Sequence, residues 1–337
     1  MIFEGFTKFG NKMNMNNKLV LFIVIGIISF STLATNANAD EDKINILCTN
    51  TVLADFVSNL MTENVTVEYI MPPGICPAFY DTTPSDVNKI VTADIIISFG
   101  SPTMEPWLGD LLEYNPSGDL IECKNLGEWN YPSGAKKYIE YLETELIALY
   151  PEINNTIQLN ADEYINKIDA KFLELQNKIK NSSYNGKEVI CMAWLKDFIE
   201  FLGLEVTYSY GPPQGLSLQD ELDIINAASS NDVYAVIDNL QSGTDFGARV
   251  ASESGASHVI FTNFPDAIPG TKTYLDMISY NTDQLIKGIA TYDYKKGELA
   301  DLENQVTDLE LQRNIFLILT VIFVILALIF LIMYNKK

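Results

Sequence analysis

Sulfur-bearing side chains are the strongest candidates for chemistry in this 337-residue chain. Cys191 and Met192 are adjacent, and Cys76 lies in a stretch rich in proline and turn-forming residues. Thiolate and thioether sulfur bind soft ions such as Cu(I), and several thiolates together bind Zn²⁺. We therefore hypothesise a metal site formed by Cys76, Cys191 and Met192. The alternative is that the cysteines are structural, either as buried thiols or as disulfides.

Catalytic chemistry has little support in the sequence. His258 is the only histidine, and it opens a short apolar run where a surface or strand-end role is expected. Nucleophilic catalysis by Ser/His/Asp or Cys/His groups needs a histidine beside the nucleophile, and the chain has no glycine-rich phosphate loop. We predict that the protein is not an enzyme.

A loop from Pro72 to Asp86 is the most distinctive stretch of the chain. It has too many prolines and turn formers for a helix or a central strand, and Pro84 is placed to open the helix that follows. In α/β folds, ordered loops at the carboxyl ends of strands hold the ligand sites.

Short apolar runs alternate with amphipathic helical stretches on both sides of a strand-free segment, Gly134 to Asn181. This alternation is typical of parallel sheets covered by helices. Apolar positions at helical spacing predict one long helix over about Gln158 to Asn181. We predict an α/β fold with two parallel-sheet lobes, 40–150 and 185–296, joined by one long rigid helix within 151–184.

The two ends of the chain have the features of targeting segments. Residues 1–39 combine a basic start, a short apolar run and an Ala-x-Ala site before Asp40, which predicts a signal peptide. Residues 315–334 carry no charge and are followed by two lysines, which predicts a transmembrane helix with a cytoplasmic C-terminus and the bulk of the chain outside the cell. The stalk, 297–314, has apolar residues at heptad-like spacing and is predicted either to dimerise or to act as a single spacer helix.

The formal net charge is −22 at neutral pH. Such an acidic chain is a poor partner for nucleic acid or anionic lipid surfaces, because like charges repel. We predict no nucleic-acid partner.

Several motifs together resemble the solute-binding proteins of zinc and manganese ABC transporters. The resemblance spans roughly residues 43 to 291 and is carried by the order and spacing of the motifs. They are Pro73-Gly74, Cys76 to Asp86, Phe99-Gly100, Glu105-x-Trp107-Leu108, Trp129-x-x-Pro132, Phe201-x-Gly203-Leu204, Ser217, Asp238 and Thr273-Tyr274-Leu275-x-Met277-x-x-x-Asn281.

This resemblance implies two α/β lobes joined by a long helix, capture of a divalent metal between them, and delivery to a permease with its ATPase. In typical members three histidines and one carboxylate hold the metal. The corresponding positions in this chain, here called the inherited ligand positions, are Ala78, Gly127, Met192 and Asn263. All four usual ligands are therefore replaced, and a conventional zinc or manganese site is not expected.

Three kinds of site remain open. The first is the soft-metal site at the cysteines and Met192. The second is a cleft for a small organic ligand or a metal chelate, with walls that include Tyr80, Trp129 and Asp238 and the inherited ligand positions. The third is a protein that binds no small ligand and docks on the permease.

We predict a membrane-anchored solute-binding protein that captures a metal ion or chelate between its lobes. The interaction protein without a metal is the alternative.

Overall fold

A computed structural model describes residues 43–62, 64–230 and 232–335. The predicted signal peptide, 1–39, lies outside the described residues. Two four-stranded sheets, each wholly parallel wherever a pairing is described, account for the strands. Each sheet belongs to one lobe, as the alternating pattern predicted.

The first lobe alternates strands and helices. Its elements are β1 (Ile44–Cys48), α1 (Thr51–Leu60), β2 (Val65–Tyr69), α2 (Pro84–Val91), β3 (Ile95–Ser98), α3 (Leu108–Leu112), β4 (Asp119–Glu122) and α4 (Pro132–Leu149). The sheet order is β2-β1-β3-β4. Every residue of β3 is buried, because helices cover both faces of a parallel sheet.

The second lobe repeats this arrangement. Its elements are β5 (Glu188–Met192), α6 (Lys196–Leu202), β6 (Glu205–Tyr210), α7 (Leu218–Ser230), β7 (Ala235–Asn239), α8 (Asp245–Ser254), β8 (Ser257–Phe261) and the start of α9 (Tyr274–Asn335). The sheet order is β6-β5-β7-β8. In both sheets the strand order reverses after the first strand of the lobe, and ligands of open α/β sheets bind outside the carboxyl ends of strands at such a point.

One long helix, α5 (Asn154–Lys180), connects the lobes over 27 residues. Its buried residues recur every three or four positions and are Ile157, Ala161, Tyr164, Ile168, Phe172, Leu175 and Ile179. The long connecting helix predicted from the spacing is therefore confirmed, and it begins four residues earlier than predicted.

The C-terminal helix α9 is continuous over 62 residues, from the second lobe into the apolar terminal stretch. The sequence predicted a lobe helix, a stalk and an anchor as separate segments, and the structure joins them. It is the one helix of the described residues that is long and apolar enough to cross a membrane, by length and composition. The stalk residues Leu299, Leu302, Val306 and Leu309 are 56–63% exposed. The domain boundaries given above stay predictions.

Candidate functional site

The loop from Pro72 to Asp86 is ordered by one buried carboxylate. Asp86 accepts hydrogen bonds from the Tyr80 hydroxyl at 2.7 Å, from the Thr83 amide at 2.7 Å and from the Thr83 hydroxyl at 2.9 Å. The Tyr80 ring packs edge-on against Trp107 at 5.2 Å, and the Trp107 indole donates to the Pro77 carbonyl oxygen at 3.0 Å. Burial, and then Asp86, raise the pKa of Tyr80. The Tyr80 hydroxyl is thus occupied within the loop.

The first two inherited ligand positions carry no donor side chain. Ala78 is half-buried in the short turn Pro77–Phe79, where the loop presents only a methyl group. Gly127 is exposed, has a φ of +85°, and has no described neighbouring atom within 4 Å of the position that a Cβ would take. A larger side chain would have room at Gly127, but this backbone conformation favours glycine.

The third inherited position, Met192, ends strand β5 and is fully buried. Cys191 pairs in register with Ile237, and Met192 with Tyr210 of the neighbouring strand. Because successive strand residues point to opposite faces of a sheet, the Cys191 and Met192 side chains diverge. This divergence argues against one ion shared by Cys191 and Met192, and the site of Cys76, Cys191 and Met192 stays a prediction.

The cysteines have the properties of structural residues. All four are free thiols, and Cys48, Cys123 and Cys191 are buried. Burial, as the largest cause, raises the pKa of each of these three thiols, so the thiolate form that binds metals is disfavoured. Cys76 is half-buried and is the exception. Within residues 43–62, 64–230 and 232–335, no three His, Cys, Asp or Glu side chains converge as metal ligands.

Asp238, predicted to line the cleft, has its polar partners within the second lobe. Its side chain is fully buried, accepts from the Tyr210 hydroxyl at 2.7 Å and lies 2.8 Å from Nε2 of His258. It also lies against α8, where a Cβ on Gly247 would be 2.0 Å from the carboxylate. The buried Asp238 and the half-buried His258 therefore interact within the second lobe, and the cleft role of Asp238 stays a prediction.

The fourth inherited position, Asn263, lies at the junction of the lobes. Its backbone carbonyl accepts from the indole Nε1 of Trp129 at 2.8 Å, and its side-chain oxygen accepts from Asn130 Nδ2 at 3.3 Å. Trp129 is buried and stacks on Phe99 with ring centres 4.6 Å apart. Trp129 thus joins the two lobes directly, and the amide of Asn263 replaces a carboxylate without bringing a charge.

Gln241 is the residue of this region that the sequence reasoning missed. It follows β7 and is buried. Its Nε2 donates to the Pro73 carbonyl oxygen of the first lobe at 2.7 Å and to the Thr262 hydroxyl at 2.9 Å. Its Oε1 accepts from Asn239 Nδ2 at 3.0 Å and from the Asn263 amide at 3.2 Å. A polar residue directly after a buried strand was the available signal.

Two further hydrogen bonds connect the lobes close by. The Thr51 hydroxyl donates to the Pro265 carbonyl oxygen at 2.9 Å. The Tyr274 hydroxyl donates to the Trp129 carbonyl oxygen at 2.6 Å. Together with the bonds of Trp129, Asn130 and Gln241, five hydrogen bonds between uncharged groups cross the junction.

Burial raises the pKa of two carboxyl groups near the junction. Burial, and then Asp197, raise the pKa of Glu128 to about 7. Glu105 accepts from the Phe99 amide at 3.2 Å, and burial raises its pKa.

Asp55 in α1 gives a testable pH dependence. It accepts from the Tyr164 hydroxyl of α5 at 2.6 Å, and burial raises its pKa from the usual 3.8 to about 6. The folded protein therefore holds the proton more tightly than the unfolded chain. The contribution of Asp55 to the free energy of unfolding should fall as pH rises from about 4 to about 6, by about 3 kcal/mol at most, while Glu128, whose pKa is raised to about 7, continues the decline towards pH 7.

Asp55→Asn is expected to flatten this slope below about pH 6. Urea unfolding of the full chain, followed by tryptophan fluorescence between pH 4 and 7.5, measures it. Asp162→Asn, which removes an exposed carboxylate on α5, should leave the slope as in the original protein. A slope that survives in this range in Asp55→Asn would assign it to another group.

These features define a class of protein. Two α/β lobes whose strand ends face each other across a connecting helix are typical of substrate-binding domains that serve transporters. Residues 46–288 match the family described as zinc-uptake complex component A, periplasmic. The match covers more than half of the chain, and the chain belongs to this family of metal ABC transporter substrate-binding proteins.

The matches to similar proteins cover nearly the whole length of those proteins. The manganese-binding lipoprotein MntA of Halalkalibacterium halodurans is 23% identical over 298 residues, 80% of this chain and 97% of that protein. The iron-binding protein YfeA of Yersinia pestis is 24% identical over 299 residues, 80% of this chain and 94% of that protein. The Cd-bound periplasmic metal-binding protein from Candidatus Liberibacter asiaticus has a TM-score of 0.64 at 22% identity, covering 73% of this chain and 100% of that one. The structural likeness confirms the two-lobed fold.

Proposed function

We propose that this chain is a substrate-binding component of a metal-type ABC transporter. The component docks on the complex of permease and ATPase and does not bind a bare divalent cation. The observation that carries the proposal is the replacement of every inherited ligand by an uncharged residue, while the loop and the lobe framework around them are kept. The protein would act by presenting its surface to the permease, not as an enzyme.

The chemistry of the four positions argues against a bare divalent ion. Zn²⁺ takes imidazole, thiolate and carboxylate ligands, and hard cations take several oxygens with negative charge among them. The methyl group of Ala78 and the hydrogen of Gly127 donate nothing. Met192 offers one thioether, which suits Cu(I) only with further soft ligands, and the described residues contain no group of three His, Cys, Asp or Glu side chains that could hold an ion.

The C-terminal part of α9 supports attachment to the membrane. Residues 315–334 are long enough to span the hydrocarbon core, and Lys336 and Lys337 favour a cytoplasmic C-terminus. MntA is named a lipoprotein. In this chain a single transmembrane helix would hold the folded part outside the cell, and the stalk would set its distance from the membrane or pair with a second copy.

A second candidate function is capture of a small polar cargo or chelate. Asn130 is 1% exposed, and its Oδ1 has no hydrogen-bond partner among the described residues. It lies beside the amide of Asn263, so a cargo with N–H or O–H donors could satisfy it. Asn130→Leu should then abolish cargo binding, because the unpaired Oδ1 is removed; the change also removes the 3.3 Å bond from Asn130 Nδ2 to Asn263.

Metal binding tests the main proposal. The full chain, purified anaerobically in nanodiscs, is expected to contain no stoichiometric metal by native mass spectrometry and elemental analysis. Added Zn²⁺, Mn²⁺ or Cu(I) should not raise its stability, whereas an ion at 100 times its Kd would add about 2.7 kcal/mol.

The matched control returns ligands to two inherited positions. Ala78→His combined with Asn263→Asp should bind Zn²⁺ measurably more tightly than the original chain. Copurification with the permease and ATPase should persist in excess chelator. Stoichiometric metal in the original chain, or copurification only with metal, would contradict the proposal.

A further inference from the structure

We propose that a bridge of uncharged side chains centred on Gln241 holds the two lobes closed, so that the closed domain exists without cargo. The bridge consists of Gln241, Trp129, Asn130, Thr51 and Tyr274. This inference concerns the domain alone and does not depend on which partner the domain docks on.

Gln241 has the geometry of a bridging residue. Both hydrogens of Nε2 and both acceptor positions of Oε1 are used, and one of the four bonds crosses to Pro73 of the first lobe. The residue Gln241 as a whole is only 8% exposed. An amide satisfied in this way is held in one orientation, and opening of the lobes would break its 2.7 Å bond to Pro73.

The other bridge residues act in the same direction. Trp129 and Thr51 in the first lobe donate to the carbonyl oxygens of Asn263 and Pro265 in the second. Tyr274 donates in the reverse direction, to Trp129. Four of the five crossing bonds end on a backbone carbonyl, which carries no charge at any pH.

The absence of charge at these bonds has a consequence for closure. Where carboxylates line a cleft, a cation is needed to offset their charge before the lobes can approach. At the five crossing bonds the groups that meet are amides, an indole and hydroxyls, and they satisfy one another, while the carboxyl groups of Glu128 in the first lobe and Asp197 in the second interact nearby. A ligand shifts a conformational equilibrium only by its differential affinity for the two states. If the bonds between the lobes already keep the domain closed, an ion does not shift the equilibrium between open and closed states further.

Hydrogen–deuterium exchange of the full chain in nanodiscs tests the bridge. Segments 72–75, 127–131 and 262–266 should exchange equally slowly with EDTA, with Zn²⁺ and with Mn²⁺. Gln241→Leu should speed exchange in 72–75 and 262–266 by about tenfold, which is the effect of losing the one bond that crosses to Pro73. Exchange in β3 should not change.

Two further variants make the result decisive. Gln219→Leu, an exposed glutamine on α7, is the matched control and should change nothing in these segments. Thr51→Val keeps the shape and removes one crossing bond, so it should speed exchange in 262–266 even if Gln241→Leu fails to fold. Exchange that slows on metal addition, or equal exchange in the original chain and both bridge variants, would overturn the inference. Loss of permease copurification with slow exchange intact would overturn only the proposed docking role.

Discussion

Gly134→Ala is expected to lower the free energy of unfolding by about 3 kcal/mol or more. Gly134 lies in the first turn of α4, where a Cβ would be 1.8 Å from the Glu128 carbonyl oxygen. Backbone cannot yield as a flexible side chain can, so the loop that carries Trp129 would have to move. Overpacking of this kind usually costs about 1–3 kcal/mol, and a backbone clash lies at the upper end.

The same change should weaken the junction of the lobes. Displacement of the loop separates Trp129 from its stacking partner Phe99 and from the Asn263 carbonyl oxygen. Urea unfolding of the full chain, followed by the fluorescence of its three tryptophans, reports both effects.

Gly109→Ala is the matched control for Gly134→Ala. Gly109 lies within the short helix α3, and no described atom lies within 4 Å of its Cβ position. Alanine should be neutral there or stabilise by up to about 1 kcal/mol, because it favours a helix. Equal effects of the two substitutions would show that helix α4 does not depend on this close approach.

Asp238→Ala is the second substitution with a large expected effect, a loss of about 3 kcal/mol of stability. It removes the carboxylate that accepts from Tyr210 and contacts His258, and it leaves a buried tyrosine hydroxyl without its partner. A buried donor left without its partner generally costs about 1–3 kcal/mol, and the loss of two contacts at once lies at the upper end.

Asp223→Ala, on the exposed surface of α7, serves as the control and should change stability little. The pair of variants also separates the two roles considered for Asp238. A residue on the cleft wall would affect cargo or docking at unchanged stability, whereas a residue of the lobe interior affects stability first. An Asp238→Ala protein that is as stable as the original would support a role of Asp238 on the cleft wall.

The sequence predicted the architecture well because its signals are local. All eight strands were recognisable as short apolar runs, and the helical spacing of buried residues such as Tyr164 and Ile168 predicted the long connecting helix α5. Pro84 predicted the start of α2 because the fixed φ of proline suits the first position of a helix. The resemblance of ordered motifs then predicted the family.

The site was predicted less well because it depends on side-chain directions and distant partners. The alternation of β5 separates Cys191 from Met192, and the tight approach of Gly247 shows that Asp238 faces the interior of its own lobe. Sequence spacing alone does not reveal which face of a strand a helix covers. The soft-metal site therefore stays a prediction.

By itself, the sequence determined two parallel α/β lobes and a connecting helix, and its family resemblance predicts the loss of the usual metal ligands at Ala78, Gly127, Met192 and Asn263. Only the tertiary structure showed which hydrogen bonds join the two lobes near those positions. Gln241 and Pro73 are 168 residues apart in the chain, and Trp129 and Asn263 are 134 apart. Hydrogen bonds across such separations exist only once both lobes have folded and met, so no local pattern records them.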